Sequence, residues 1–518
     1  MADQKEYDYI IVGGGSSGSA LAARLSENPD VTVALIEAGP HDSKHDEVLT
    51  LNRWPELLES GLDWDYPIEK QENGNSFMRH SRAKVLGGCS SHNSCIAFHT
   101  PAEDVDLWEK LGATGWNRDT VLPLIKKLET NDHEGDQNGH DGPVNIMTVP
   151  ATDPVGVAVL DACEEVGIPR KNFNMGETVK HGANFFQINS KQDGTRSSSS
   201  VSYLHPIEGR ENLDILTDMW VSRIVFDDEN NATGVEYQRD VFGRRAVLNA
   251  KREVILSAGA INTPQLLMLS GIGPAEHLKE VGIDVRVDSP GVGSNLQDHP
   301  EAVINFETTV DMVSDSTQWW EIGIFTQIDD NTDLPDLMMH YGSVPFDMHT
   351  VRQGYPTAEN SFALTPNVTH ARSRGTVRLR SNDFRDKPAV DPRYFTDEEG
   401  YDMRIAVAGI KLARKIASQP ALADVVKREL SPGPEVQTDE EIADYVAKTH
   451  NTVYHPAGSC RMGSADDDMS PLDPELRVKG VNRLRVADAS VMPQLTAVNP
   501  NITCMMIGER AAQLVAEG

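Results

Sequence analysis

The residues with the clearest chemical use lie near the start of the chain. Gly13, Gly15 and Gly18 have the spacing of a loop that binds the pyrophosphate of a dinucleotide. In such a loop the first glycine makes a tight turn, the second lets the backbone approach the pyrophosphate, and the third lets a helix pack closely on the sheet. Glu37 follows Gly18 by 19 residues, where a carboxylate accepts hydrogen bonds from a ribose hydroxyl and disfavours the 2′-phosphate of NADP.

The residues around this loop predict the elements that must position it. Residues 9–12 form a continuous apolar run, which is typical of a strand buried on both faces. Leu21 and Leu25, four positions apart among small residues, predict a helix whose N-terminus offers N–H groups and partial positive charge to phosphates. Residues 31–36 predict a second buried strand, which ends at Glu37. The motif predicts a dinucleotide fold and does not by itself separate NAD from FAD.

A second strand–turn–helix unit begins at Glu253. Residues 254–256 are apolar and predict a strand, and Thr263 is expected to cap a helix that has Pro264 at its first position. Near the C-terminus, residues 484–486 predict a short strand. A final helix is expected to start after it and to run to about residue 515 of the chain.

The composition of the chain limits its classes of binding partner and its cellular compartment. The chain has 518 residues, with 47 basic and 79 acidic side chains, and its net charge of −32 disfavours binding to nucleic acid or to an anionic membrane surface. Its five cysteines are odd in number and lack zinc-ligand spacing, so we expect free thiols, a reducing compartment and no metal site. The N-terminal residues lack a basic segment leading into an apolar one, so no secretory signal is expected and the predicted location is the cytoplasm.

Four segments, spread over nearly the whole chain, resemble the glucose-methanol-choline (GMC) family of flavin oxidoreductases. They are the glycine loop with Glu37, residues 82–93 (RAKVLGGCSSHN), residues 257–273 (SAGAINTPQLLMLSGIG), and residues 455–463 (HPAGSCRMG) with Asn499 and Pro500 downstream. The resemblance implies that FAD is the cofactor and that the chain is an enzyme that oxidises an alcohol. It is strongest to the choline-oxidising members, through residues 90–95, 298–301, 318–323 and 340–346.

The family resemblance also implies the architecture. The expected fold class is α/β, with a Rossmann-like FAD-binding domain and a discontinuous α+β substrate-binding domain that contains an antiparallel sheet. We assign to the FAD-binding domain residues 1–152, 190–300 and 453–518. The substrate-binding domain is assigned residues 153–189 and 301–452.

His92 is the most distinctive of the cofactor residues that the resemblance implies. Most family members have an aliphatic residue there, and the choline-oxidising members suggest a covalent bond between the imidazole and the flavin 8α-methyl. A histidine held in the loop for structural reasons is the alternative. The other residues expected to contact FAD are Gly13, Gly15, Ser17, Gly18, Glu37, Gly88, Asn93, Val221, Asp488, Ala489, Asn499 and Pro500.

Oxidation of an alcohol removes a proton from oxygen and a hydride from carbon. The flavin accepts the hydride, whereas the protein must accept the proton and hold the alkoxide. The resemblance makes His455 either the base or the imidazolium that stabilises the alkoxide, and the sequence leaves both roles open. His340 is expected to bind the alkoxide oxygen, Asn499 the substrate oxygen or flavin, and Ser94 to join the same network.

The substrate implied by the resemblance is choline, a quaternary ammonium that cannot donate a hydrogen bond. Its site needs a carboxylate and aromatic faces for cation–π contact. The carboxylate is expected from Glu301, and the aromatic faces from Trp54, Trp320, Phe346 and Tyr454. The aldehyde product hydrates to a diol that the same site can oxidise, so two turnovers with O2 would give glycine betaine and hydrogen peroxide.

Three other functions stay open at this stage. A choline dehydrogenase would pass electrons to a membrane carrier, although such relatives generally have an aliphatic residue at the position of His92. An oxidase of another primary alcohol would use the same scaffold, and a flavin-containing lyase would use FAD without net oxidation. The resemblance also implies a homodimer.

Overall fold

The computed structural model describes residues 6–313, 315–329 and 332–518. The first five residues, on which the expectation of no secretory signal partly rests, lie outside these ranges. No helix within the described ranges is long and apolar enough to cross a membrane. All five cysteines are free thiols.

Helices and strands alternate along much of the chain. The α-helices of the described residues are α1 (Ser16–Leu25), α2 (Asp46–Leu49), α3 (Ala102–Lys110), α4 (Arg118–Leu128), α5 (Pro154–Glu165), α6 (Gly259–Leu269), α7 (Ala275–Glu280), α8 (Met348–Arg352), α9 (Tyr401–Ala417), α10 (Asp439–Thr449) and α11 (Asn501–Glu517). The strands are β1 (Glu6–Val12), β2 (Val33–Ile36), β3 (Tyr66–Pro67), β4 (Arg79–His80), β5 (Glu129–Asn131), β6 (Val144–Thr148), β7 (Gly182–Phe185), β8 (Gln187–Ile188), β9 (Leu213–Leu216), β10 (Trp220–Phe226), β11 (Ala232–Gln238), β12 (Ala246–Leu256), β13 (Ile272–Gly273), β14 (Val287–Asp288), β15 (Pro300–Glu301), β16 (Ile304–Thr308), β17 (Trp320–Thr326), β18 (Leu337–Gly342), β19 (Ser361–Val368), β20 (Thr376–Arg378), β21 (Ala389–Asp391), β22 (Val426–Ser431), β23 (Asn451–Thr452) and β24 (Leu484–Val486).

The first large sheet has the strand order β10–β11–β12–β1–β2–β9, and β24 lies beside the end of β12. Strands β12, β1, β2, β9 and β24 are parallel to one another. The apolar residues 9–12 of β1 and 33–36 of β2 are buried on both faces, as the continuous apolar runs predicted. Val12 pairs with both Ile36 and Leu256. The glycine loop, Glu37 and Ser257 therefore meet at the carboxyl edge of this sheet, where parallel α/β sheets bind ligands.

The predicted start of α6, with Thr263 as cap and Pro264 as first residue, is wrong, because the helix begins at Gly259, five residues before Pro264. Pro264 lies inside the helix, where its missing N–H leaves the carbonyl of Ala260 without its usual partner. Ser459 Oγ donates to that carbonyl at 2.5 Å, so a distant segment supplies the lost bond. Thr263 Oγ1 donates to Asp488 Oδ2 at 2.6 Å rather than capping the helix.

The second large sheet is antiparallel, with the order β22–β16–β19–β18–β17–β7, and β15 joins it to β23. Helix α9 packs on one face, since a Cβ at Gly409 would lie 3.1 Å from a methyl of Leu337. His340 is three residues along β18 from Leu337 and therefore points to the opposite face. On β15, Glu301 pairs with Asn367 and Asn451. The expected α/β fold with an antiparallel second sheet is confirmed.

Buried hydrophobic side chains form two large clusters, one around each sheet. The described strands of the first sheet come from residues 1–152, 190–300 and 453–518, and those of the second from 153–189 and 301–452, apart from Pro300. However, β8 pairs with β6 across the assigned boundary at residue 152. The division into domains stays a prediction.

Candidate active site

A cleft opens at the carboxyl edge of the first sheet. The predicted cofactor residues that line it are Gly13, Gly15, Ser17, Glu37, Gly88, Val221, Asp488 and Ala489. Gly18 instead faces the sheet, because a Cβ there would lie 2.0 Å from the carbonyl oxygen of Gly13. This is the close packing of helix on sheet that the third glycine of the motif was expected to allow.

The glycine loop presents backbone to the cleft. Gly13 has φ +106°, a conformation that side chains disfavour, and it turns the chain from β1 towards α1. A Cβ at Gly15 would meet nothing closer than 3.8 Å, so the backbone is open to a ligand at that point. Gly15 is also the N-cap of α1, and no side chain caps the helix. The first N–H groups of α1 are therefore available to an anion.

Glu37 closes the other side of the glycine loop. Its Oε2 accepts a hydrogen bond from Gly14 N at 2.9 Å, and its Oε1 accepts one from Gly39 N at 2.8 Å. Burial raises the pKa of this carboxyl to about 7, although both backbone bonds oppose the shift. A buried acceptor beside open glycine backbone and an uncapped helix suits a ribose next to a pyrophosphate, so these residues fit the ADP part of FAD.

Asp488 forms part of the cleft wall and holds α6 in place. Its Oδ2 accepts from Gly259 N at 2.9 Å, and its Oδ1 accepts from Ser490 N at 2.8 Å. Burial raises the pKa of its carboxyl. The strand β24 carries this residue to the same edge of the sheet as Glu37.

A cavity adjoins the cleft, and its lining residues come from the chain segments that carry both large sheets. It is lined by the residues predicted for catalysis and substrate binding: His455, His340, Asn499, Ser94, Glu301, Trp54, Trp320, Phe346 and Tyr454. The predicted cofactor residues His92, Asn93 and Pro500 line it as well. The cleft and the cavity are continuous because they share Ser16, Arg82, Cys89, Pro456, Ala489 and Cys504.

The loop that carries His455 is held by Asp298, which sequence reasoning did not assign to the site. Asp298 Oδ1 accepts a hydrogen bond from the backbone N of His455 at 2.9 Å, and its other oxygen accepts from the Thr452 hydroxyl. Tyr454, between them, has φ +63°, which is unusual for a residue with a side chain. The buried carboxylate thus stabilises a strained turn that points His455 into the cavity.

His299 determines which nitrogen of His455 is basic. His299 Nε2 lies 3.1 Å from the carbonyl oxygen of Thr496, so Nε2 must carry the hydrogen. In the neutral ring Nδ1 is then an acceptor, and it lies 2.9 Å from Nδ1 of His455. His455 must therefore donate through Nδ1, which leaves the lone pair on its Nε2.

Both histidines are neutral in this environment. Burial lowers the pKa of His299 to about 4. Burial, with a smaller contribution from the positive charge of Arg82, holds the pKa of His455 well below its usual range. Asn499 Nδ2 lies 3.4 Å from His455 Nε2, as a donor facing that lone pair.

Two polar atoms in the cavity lack a partner among the described residues: Nε2 of His340 and Oδ1 of Asn499. Both are buried, and an unsatisfied buried polar group is costly unless a ligand or water pairs with it. His340 Nδ1 is engaged instead, at 3.4 Å from Glu301 Oε1 and 3.4 Å from Asn367 Nδ2. His340 Nε2 can therefore pair with the hydroxyl group of a small ligand, and Asn499 Oδ1 can accept from a ligand O–H or N–H group.

Glu301 lies in a cavity wall that is otherwise aromatic. The carboxylate is buried, with only 6% of the residue exposed. Trp320 packs against Phe346 edge to face at 5.1 Å and lies over Gly342, where a Cβ would be 2.1 Å from the indole. Trp54 is fixed by a 2.8 Å hydrogen bond from its Nε1 to the Gln318 carbonyl. A buried carboxylate surrounded by aromatic rings suits an organic cation.

His92 lies at the end of the short helical turn Gly88–Ser91 and is buried. Its Nε2 lies 3.0 Å from the carbonyl oxygen of Leu57. Burial lowers the pKa of the ring to about 4, so the imidazole is neutral and keeps a lone pair on one nitrogen. Asn93 and Ser94 follow it along the cavity wall.

Sequence reasoning missed the residues that support the site. Asp298 and His299 precede Pro300 and Glu301, in a segment noted only for its family resemblance. Arg82 donates to the Tyr454 carbonyl and lines both the cleft and the cavity. The roles of the predicted site residues stay predictions, although the structure brings the predicted catalytic and substrate residues into one cavity.

Comparisons with known proteins identify one family along nearly the whole chain. The sequence pattern of GMC oxidoreductases matches its N-terminal part over residues 7–301 and its C-terminal part over residues 371–508. The choline oxidase of Arthrobacter globiformis is 68% identical over 515 residues, which cover 99% of this chain and 94% of that protein. An oxygen-dependent choline dehydrogenase of Staphylococcus epidermidis is 36% identical, covering 98% and 93%. The crystal structure of pyridoxine 4-oxidase from Mesorbium loti has a TM-score of 0.91 at 31% identity, covering 99% and 100%.

Proposed function

The chain belongs to the GMC oxidoreductase family, and from this premise we propose that it is an FAD-dependent choline oxidase. The proposed reaction converts choline to betaine aldehyde and then to glycine betaine, with O2 as the electron acceptor and H2O2 as the product. The family and the alcohol-oxidoreductase class expected from the sequence are confirmed by the match over nearly the whole chain.

One observation carries the choice of substrate. A single cavity, continuous with a cleft that fits FAD, combines the buried carboxylate of Glu301 with aromatic rings and with the basic nitrogen of His455. The carboxylate offsets the positive charge of a trimethylammonium group, and the rings contact its methyl groups. The 68% identity to a choline oxidase supports the same substrate.

The protein residues activate and hold the alcohol. His455 Nε2 accepts the hydroxyl proton, because the hydrogen bond from Nδ1 to His299 keeps its lone pair directed into the cavity. When His340 Nδ1 accepts from Asn367 Nδ2, His340 Nε2 carries a hydrogen and can donate it to the oxygen from which that proton leaves. Asn499 Nδ2, which lies beside His455 Nε2, is a second donor to the same oxygen. Once protonated, His455 stabilises the alkoxide as an imidazolium, so the two roles left open by the sequence follow one another. Ser94 adds a hydroxyl beside this network.

FAD, when bound, accepts the hydride from the carbinol carbon and passes the two electrons to O2, which gives H2O2. The betaine aldehyde then hydrates to a diol, which presents a hydroxyl to the same base. Because the ammonium group is unchanged, Glu301 holds the second substrate as it held the first. Two turnovers thus give glycine betaine.

We further propose that FAD is covalently attached through His92. The neutral ring keeps a nitrogen lone pair, and the residue lines the cavity three positions after Cys89, which the cleft and the cavity share. Acid precipitation of the protein tests the attachment: flavin should stay in the pellet of the unchanged protein and appear in the supernatant for His92→Asn. Free flavin from the unchanged protein would refute the bond.

A second candidate is a choline dehydrogenase that passes its electrons to another acceptor, although the choline dehydrogenase that is 36% identical to this chain is named as oxygen-dependent. His92 favours the oxidase. A homodimer and a cytoplasmic location remain proposals, of which the second is supported by the five free cysteines.

Oxygen uptake tests the proposal. Choline should support uptake of O2 with formation of one H2O2 per oxidation step, and betaine aldehyde should do the same. Flavin that is reduced by choline without air, and that does not return its electrons to O2 when air is admitted, would indicate the dehydrogenase. Flavin that is not reduced by choline under anaerobic conditions would overturn the choline assignment and leave an oxidase of another alcohol or the lyase.

A further inference from the structure

Three side chains with metal-binding atoms come together outside the cleft and the cavity. His41, His205 and Glu208 each offer one nitrogen or oxygen atom, and these atoms lie within 4.8 Å of one another. The two imidazoles stack, with centroids 5.6 Å apart and planes inclined by 20°. Glu208 Oε1 lies 3.1 Å from His41 Nε2. None of the proposed catalytic functions uses these residues.

A buried carboxylate supports both histidines from behind. Asp42 is 0% exposed, and its Oδ1 lies 2.9 Å from His205 Nε2 and 3.3 Å from His41 Nδ1. A carboxylate in this position typically orients a metal-bound imidazole and raises its basicity. The contact with Asp42 leaves Nδ1 of His205 to face a metal, next to the carboxylate of Glu208. His41 Nδ1 accepts from Ser43 N at 3.2 Å, so Nε2 carries the hydrogen in the metal-free ring. When Nε2 of His41 binds a metal, that hydrogen moves to Nδ1, where Ser43 Oγ, 2.8 Å away, can accept it.

We propose that His41, His205 and Glu208 form a binding site for a divalent transition-metal ion of the zinc type. Two imidazole nitrogens and one carboxylate oxygen are a common zinc ligand set that leaves a fourth position for water. Such a set favours Zn²⁺ over Mg²⁺ and Ca²⁺, which prefer oxygen ligands alone. The net charge of −32 also draws cations to the protein.

The present spacing needs only small side-chain movements. Ligand atoms about 2.0–2.1 Å from a tetrahedral Zn²⁺ lie about 3.4 Å apart. The contact between His41 and Glu208 is already close to this separation. The wider gap to His205 closes by rotation of side chains that are 20% to 45% exposed and therefore free to adjust.

The ion would connect segments that support the flavin loop. His41 follows β2, and His205 begins the short turn that ends at Ile207. Asp42 Oδ2 accepts from Ser200 Oγ at 2.5 Å, and Ser200 Oγ lies 3.3 Å from Ser91 Oγ, beside His92. Binding of the ion would therefore stabilise the fold next to the proposed flavin attachment.

Equilibrium dialysis of the holoenzyme against Zn²⁺ at pH 7.5, followed by metal analysis, tests the site. The unchanged protein should bind one Zn²⁺ that Glu208→Gln binds at least about tenfold more weakly, because a neutral amide replaces an anionic ligand. His205→Gln should weaken binding by about a hundredfold. Glu208 is partly exposed, so its variant should fold normally.

Glu47→Gln is the matched control, because Glu47 Oε1 also lies 3.1 Å from a histidine nitrogen, that of His45, but outside the three-residue group. Its Zn²⁺ affinity should equal that of the unchanged protein. Thermal unfolding gives a second readout, in which Zn²⁺ should raise the midpoint of the unchanged protein and the control but not of Glu208→Gln. Equal Zn²⁺ binding by all variants, or no bound Zn²⁺ in the unchanged protein, would overturn the proposal.

Discussion

The cleft around Gly13 offers a ligand mainly backbone groups, whereas the cavity around His455 offers it side chains. In the cleft, glycines without Cβ atoms and an uncapped helix face the ligand. In the cavity, a histidine pair, a buried carboxylate and aromatic rings face it. The glycine loop and Glu37 of the cleft come from one short stretch of chain, whereas the reactive side chains of the cavity come from segments that are hundreds of residues apart.

The difference teaches how recognition is divided in this molecule. Backbone N–H groups and a helix N-terminus bind any suitably placed pyrophosphate, so the cleft fixes the cofactor class. The cavity side chains distinguish one alcohol from another and accept the hydroxyl proton. Substitutions in the cavity should therefore affect turnover and specificity, whereas those in the cleft should affect flavin content and stability.

The largest effect is expected at the proposed base. His455→Gln should lower kcat/KM for choline by about 10²–10⁴-fold, because the acceptor of the hydroxyl proton is lost. Steady-state oxygen uptake measures the change. His181→Gln, a histidine outside the cavity, should leave kcat/KM unchanged, and a loss below tenfold in His455→Gln would contradict the assigned base.

A substitution at Glu301 should change specificity more than chemistry. Glu301→Gln keeps the shape of the side chain but removes its charge, so kcat/KM for choline should fall by about tenfold to a hundredfold. The neutral isostere 3,3-dimethylbutanol should change by less than about threefold, since it has no charge to lose. Equal losses for both alcohols would show that Glu301 does not bind the ammonium group.

His299 should act through His455. His299→Ala should lower kcat/KM by about tenfold to a hundredfold, because Nδ1 of His455 loses its acceptor and the ring can change tautomer. His299→Gln should restore part of the activity, since its amide can donate to Thr496 and accept from His455. The pH profile of kcat/KM should also shift in His299→Ala; an unchanged profile would argue for a structural role alone.

A substitution in the glycine loop should lower stability by disturbing the packing of α1 on the first sheet. Gly18→Ala should destabilise the protein by about 1–3 kcal/mol and lower its flavin content, because the new Cβ would lie 2.0 Å from Gly13 O. Gly61→Ala is the control, since a Cβ there would meet no atom within 4 Å. Thermal midpoints and the ratio of flavin to protein absorbance measure both effects. Equal behaviour of the two variants would contradict the packing argument.

Buried histidines and the buried Glu37 should make opposite contributions to the pH dependence of stability. Burial lowers the pKa of His80, His92 and His299 to about 4 and that of His450 to about 3. As the pH falls below about 6.5, these histidines therefore bind protons in the unfolded chain but not in the folded one, which lowers the stability. Glu37, with its pKa raised to about 7, contributes the reverse, because its stabilisation is lost as the pH rises above about 4.5.

The four histidines outnumber Glu37, so the net stability should fall between pH 6.5 and 5, by up to about 1.4 kcal/mol per pH unit for each histidine. Denaturant unfolding at several pH values measures the slope. Glu37→Gln should make the slope steeper by removing the opposing contribution. A free energy of unfolding that stays constant over this range would contradict the pKa shifts.

The sequence predicts the two regions to different degrees. The cleft follows from local patterns, since apolar runs, glycine spacing and Glu37 lie within one strand–loop–helix–strand unit. The boundary of α6 could not be predicted from local sequence. The hydrogen bond that Pro264 cannot donate to the Ala260 carbonyl is replaced by one from Ser459, almost two hundred residues away. For the same reason His299 was missed: its role depends on a contact with His455 that only the folded chain makes. The proposed metal ligands also come from positions 41, 205 and 208, which form no recognisable spacing.

The central claim is that the cavity binds a cationic alcohol in front of a histidine base. The most direct test is kcat/KM of the unchanged enzyme for choline and for 3,3-dimethylbutanol, measured by oxygen uptake under the same conditions. A preference for choline of more than about tenfold, or 1.4 kcal/mol, is predicted from the buried carboxylate and its aromatic neighbours. A preference below tenfold would contradict the account.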